Sequence, residues 1–103
     1  MRTGKRVRAI RELTGFTRSD FAESLDIDFM RMRNIEQLKA KVAEDEFYAI
    51  GKAIPETVHF LAYGGLISLD ALKESENPFA RLIYARLEAG QMPEGFELDK
   101  IIV

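Results

Sequence analysis

Residues 16–38 read FTRSDFAESLDIDFMRMRNIEQL, and their spacing predicts two short helices joined at an angle by a tight turn. Thr17 is placed to cap the first helix. Its hydroxyl would accept from an orphan backbone N–H, and Asp20 three residues on makes a T-x-x-D start close to a capping box. Phe21, Ala22 and Leu25 share one face at three-and-four spacing. Asp26 falls at the turn, and Asp enters the left-handed backbone region more readily than most non-glycine residues. Ile27 then plugs the gap between the helices. Asp28 is a second cap, its charge suited to the positive end of a helix. In the second helix Met32 and Ile35 face inward, which turns Arg31, Arg33 and Asn34 outward. A small helix pair with a polar, arginine-bearing second helix has the geometry that enters a DNA major groove.

Working outward, 103 residues suit one compact unit, and 47% hydrophobic content is enough for a core. No apolar run reaches about 18 residues, so no membrane span is expected. The basic start lacks a following apolar stretch, which argues against a secretory signal. The absence of cysteine excludes disulfides, thiolate zinc sites and cysteine nucleophiles, and suits a cytoplasmic chain. The net charge of −2 is unevenly spread. Residues 1–41 hold ten Lys/Arg against six Asp/Glu, a net of +4, and residues 42–103 hold five against eleven, a net of −6. A basic front and an acidic rear would orient the molecule towards a polyanion, although a short chain also reaches such unevenness by chance.

A first helix is expected over residues 5–14, with Val7, Ile10 and Leu13 buried and Gly15 as its stop. Lys5, Arg6 and Arg8 lie off that stripe, as phosphate contacts or as a solvated face. After the helix pair, Lys39 and Lys41 sit in a short basic connector. Ala43, Phe47, Ile50 and Ile54 repeat at helical spacing, and Pro55 breaks that helix and opens the next, which buries Val58, Leu61 and Ala62. Glu44, Asp45 and Glu46 crowd a first turn, where carboxylates favour the helix dipole. Successive helical positions splay around the axis, so no metal site is expected there. His59 has no catalytic partner nearby in sequence and reads as a packed or surface imidazole. Gly64-Gly65 sets the boundary between a domain at 1–65 and an extension at 66–103.

In that extension Ser68 caps a short helix over residues 69–75, and Asn77-Pro78 opens another over 78–89. Phe79, Leu82, Ile83, Arg86 and Leu87 are placed along one side of it. The chain closes on Phe96, Leu98, Ile101, Ile102 and Val103, an apolar tail that reads as a short strand or an extended arm.

The fold class expected is all-α. Five helices with the second and third forming this pair resemble the lambda-repressor-like, or Cro-type, helix-turn-helix family. The resemblance rests on R-x-x-x-G-F-T at Arg11 to Thr17, F-A-x-x-L-x-I at Phe21 to Ile27, M-x-x-I-E at Met32 to Glu36, and A-I-P at Ala53 to Pro55. It implies that Thr17 and Arg18 anchor a phosphate. It implies also that Asp28, Phe29 and Met30 open a recognition helix, with Arg33 and Asn34 facing base edges. By the same resemblance Arg11 and Glu36 are a buried ion pair linking the first helix to the third, which would lock orientation more than add stability. The chain departs from the pattern at Asp26 and Leu38, where the family commonly has Gly. Phe29 and Met30 also replace polar readers. They suit thymine methyl groups, packing on the helices, or another protein.

The function this implies is a sequence-specific DNA-binding transcriptional regulator, a repressor, cytoplasmic and associated with the nucleoid. Arg33 would pair with guanine and Asn34 with adenine. Thr17, Arg18, Asp28, Arg31, Lys39 and Lys41 would make the phosphate contacts. The helix at 78–89 and the tail (Phe79, Leu82, Ile83, Leu87, Phe96, Leu98, Ile101, Ile102) are assigned to a homodimer contact that pairs with a palindromic operator. The alternative for this segment is that it folds back on its own domain. Two other classes use the same fold: an antitoxin whose acidic C-terminal half masks a basic toxin, and a protein-binding adaptor. No nucleophile–base constellation or phosphate-cradling glycine loop is present, so neither an enzyme nor a cofactor is expected.

Overall fold

The computed structural model describes residues 2–93 and the backbone of Ile101 and Ile102. The chain is mostly helical. α1 (Thr3–Thr14) buries Val7, Ile10 and Leu13 and ends at Gly15, whose φ of 81° puts it in the left-handed region. α2 (Arg18–Ser24) starts under Thr17, whose hydroxyl accepts from Asp20 N at 3.1 Å, and buries Phe21 and Ala22. Asp26 makes the turn with φ 55°, and Ile27 N bonds back to Ala22 O at 2.9 Å. α3 (Phe29–Glu36) is capped by Asp28, which accepts from Arg31 N at 3.2 Å, and buries Met32, Ile35 and Glu36. α4 (Glu44–Ala53) turns at Ile54 into a 3₁₀ turn, Pro55–Thr57, and then α5 (Val58–Tyr63), which stops at Gly64.

Beyond Gly65 come β1 (Ile67–Ser68), α6 (Leu69–Glu74) and α7 (Pro78–Glu88). β2 (Ile101–Ile102) pairs in parallel with β1, Ile67 against Ile101 and Ser68 against Ile102. The tail therefore meets its own chain through its backbone. Phe96 and Leu98, and the side chains of Ile101 and Ile102, lie outside the described residues.

α1 is the hub, packed by α3, α5 and α7. Leu72, Ala80, Ile83 and Leu87 join the same core as Val7, Ile10, Leu13 and Phe21, so both sequence segments build one core. This takes Ile83 and Leu87 out of the homodimer contact expected for α7. Ile83 is fully buried and Leu87 is 9% exposed, both within their own chain. Phe79 meets Phe16 edge-on at 5.3 Å and Phe21 at 6.0 Å. The inward stripe is Ala80, Ile83 and Leu87, not one running through Leu82, which is 40% exposed. Ala80, Ile83 and Leu87 recur at three-and-four spacing, which puts them on one buried face of α7. Asn77 fixes the start of α7: its Oδ1 accepts from Phe79 N at 2.9 Å and its amide reaches the Ala53 carbonyl at the end of α4.

Two close approaches bring the end of α3 against α1. Gly4 in α1 faces the Ile35 carbonyl so tightly that a Cβ there would collide with it. Leu38 takes the left-handed region with φ 62°, costing roughly 1–2 kcal/mol for a residue with a Cβ. Its Cδ2 lies towards Gly4. Gly4→Ala should therefore cost about 1–3 kcal/mol through overpacking against backbone that cannot rotate away. Thermal unfolding checks this: Tm is expected to fall, and an unchanged Tm would mean that α1 and α3 do not meet at Gly4.

Candidate nucleic-acid interface

The helix pair is held from beneath by one carboxylate. Glu36 is fully buried. Arg11 grips it with two bonds, Nε to Oε2 at 2.8 Å and Nη2 to Oε1 at 2.9 Å, and Arg18 Nε reaches Oε1 at 3.2 Å. Arg11 Nη1 also donates to the Phe16 carbonyl at 3.0 Å. One anion thus joins α1, α3 and the first residue of α2. Fork-shaped arginine contacts add direction as well as energy, so the three elements share one geometry.

A second brace ties α3 to α4. Arg31 Nε donates to Glu46 Oε2 at 2.8 Å and Nη2 to Glu46 Oε1 at 2.6 Å, and Nη2 also reaches the Lys41 carbonyl at 3.1 Å. Glu46 Oε1 accepts from Ala43 N at 2.9 Å, the backward half of a capping box whose forward half Ala43 cannot supply. Arg31 is therefore not the open phosphate cation expected from sequence: its guanidinium is taken by Glu46 and the connector. The signal for Glu46 was its place in a first turn, which gives the dipole but not a partner 15 residues away.

The Arg31 hydrogen bonds, helped by the Ala43 N–H and opposed by burial, hold the Glu46 carboxyl below its ordinary value of 4.5. Glu46 in turn raises Arg31. A lowered folded pKa contributes stability that is fully present above the unfolded value and is lost as pH falls through the folded one. Glu46→Gln should thus destabilise the chain at neutral pH, with a shallower further loss on acidification below 4.5 than the parent shows. Urea midpoints across that range test this, and parallel curves would remove Glu46 from the acid response.

Above these braces lies the open side of the pair. Phe29 and Met30 stand 43% and 48% exposed at the start of α3. Arg33 and Asn34 are half-buried, and Lys39 and Lys41 are exposed. Arg33 has no carboxylate partner among the described residues, and its Nε is buried without a hydrogen bond. The Asn34 carbonyl accepts from Lys39 N at 2.8 Å and Ala40 N at 3.2 Å, which folds the connector back beside α3. Thr17 and Asp28 are exposed caps, their side chains bonded to backbone N–H groups. Phe29, Met30, Arg33 and Asn34 thus share α3, and Lys39 and Lys41 follow it in the connector. Arg6, expected on a solvated or phosphate-facing side, instead donates to the Leu61 and Ala62 carbonyls at 3.3 and 3.4 Å and caps α5.

His59 is exposed, with Tyr63 its ring neighbour at 6.4 Å. Among the described residues no group of His, Cys, Asp and Glu is placed to hold a metal, and no helix is long and apolar enough to cross a membrane. No family model matches the chain, and no curated protein or solved structure does either.

Proposed function

We propose that the chain is a sequence-specific DNA-binding regulator, with α1–α5 forming a lambda-repressor-like domain whose α3 enters the major groove. The observation that carries this reading is the α2–α3 pair, turned at Asp26, pinned by Arg11 and Arg18 on buried Glu36, and open along α3. Rigid placement of a reading helix is what base recognition needs. In this reading Arg33 takes guanine O6 and N7, and Asn34 takes adenine N6 and N7. Phe29 and Met30 meet thymine methyl groups. The Arg18 guanidinium, Lys39 and Lys41 hold phosphates, and Thr17 and Asp28 hold the ends of the two helices that present them. One such module buries little surface, so a homodimer on a palindromic operator and a repressor role in the nucleoid belong to the same proposal. With Ile83 and Leu87 buried, Leu82 is what α7 still offers to a second copy.

Affinity for a mixed-sequence duplex at two salt concentrations tests the electrostatic half of the proposal. Lys39→Gln and Lys41→Gln should each reduce the slope of log K against log salt by about 1 per copy. Unchanged slopes would remove the connector from the interface. A protein-binding module is the second reading, favoured by the exposure of Phe29 and Met30 side by side, where water-facing aromatic and thioether groups suit an apolar partner. A toxin held by an antitoxin is one such partner.

A further inference from the structure

A cleft of about 570 Å³ opens between the start of α1, the 38–42 connector, Phe47 of α4 and Ala62 of α5. It falls in the size range of small-molecule sites. Arg2, Arg6 and Lys41 supply three cations to its lining, and among the described residues no carboxylate lines it. Leu38, Val42 and Phe47 supply its apolar wall. The first turn of α1 also lines it through Thr3 and Gly4, and the Arg2 side chain does not cap that turn. N–H groups at a helix start carry partial positive charge. Arg6 Nε is buried without a hydrogen-bond partner among the described residues, although Nη1 is satisfied by α5. A site with this lining complements a negative head attached to an apolar body. A bare inorganic anion would leave the apolar wall wet, and a neutral apolar molecule would leave three cations uncompensated.

We propose that this cleft binds a small amphipathic anion, a carboxylate carried on a compact apolar chain or ring. The site stands independently of the nucleic-acid reading, since it needs no DNA and lies on different residues except for Lys41. Its lining includes Leu38, the left-handed residue where α3 gives way to the connector, so an occupant would press on the segment that carries Lys39 and Lys41.

The test is amide NMR of the full chain titrated with sodium octanoate, with 1-octanol and inorganic phosphate as separate probes. Octanoate should give saturable shifts centred on Gly4, Ala40 and Val42, and both other probes should bind at least about tenfold more weakly. The double variant R2Q/K41Q should weaken octanoate about tenfold while leaving Tm unchanged, because neither side chain makes a hydrogen bond among the described residues. The proposal is overturned if octanoate does not saturate below about 10 mM or shifts residues elsewhere, if octanol or phosphate binds as well, or if the double variant binds octanoate unchanged.

Discussion

Glu36→Ala is expected to remove about 3–5 kcal/mol of stability, a large part of what a domain of this size has. The cost does not come from losing a favourable ion pair. It comes from leaving Arg11, only 11% exposed, and Arg18, 24% exposed, without the carboxylate that neutralises them. Taking a guanidinium out of water is tolerable only when its donors are satisfied. The double variant Arg11→Met, Glu36→Leu removes both members of the pair and should be less destabilised than Glu36→Ala, since no charge is stranded between α1 and α3. Urea unfolding of the two variants gives the comparison. A loss below about 1 kcal/mol for Glu36→Ala would place the carboxylate in water and contradict the buried geometry.

The second large effect concerns recognition. Arg33→Ala with Asn34→Ala should cost about 1–3 kcal/mol of discrimination for each contact at the preferred site, with little change on random duplex. Both side chains lie on α3 beyond the cap at Asp28, and among the described residues Arg33 has no carboxylate to turn it away from a base edge. Phosphate-binding residues behave differently, weakening all sequences alike. Equal losses on specific and random DNA would therefore reassign Arg33 and Asn34 to the backbone, and competition binding at fixed salt separates the outcomes.

Local chemistry was legible where a residue acts on its near neighbours. Thr17, Asp28, Ser68 and Asn77 each accept from a backbone N–H two or three positions on, and such bonds depend on spacing alone. Asp26 turns with positive φ, as a short polar residue between two apolar stripes suggests. What crossed long separations was not legible. Arg11 and Glu36 lie 25 residues apart, and only the family resemblance pairs them. Arg31 and Glu46 had no such guide, so an arginine on an outward helix position read as open when it is braced. The inward face of α7 runs through Ala80 and leaves Leu82 exposed, and apolar size alone favours leucine over alanine as the buried position. Leu38 posed the opposite problem. A leucine gives no local sign of left-handed backbone, and the conformation follows from packing beside Gly4 and the bonds to Asn34.

If α3 reads DNA sequence, the chain must prefer some duplexes over others. Selection of bound duplexes from a random pool, using the full chain at low salt, tests it most directly. Enrichment of a palindrome with half-sites about one helical turn apart is the expected result. Recovery of an unenriched pool, with no detectable affinity even at low salt, would contradict it and direct the exposed Phe29 and Met30 to a protein partner.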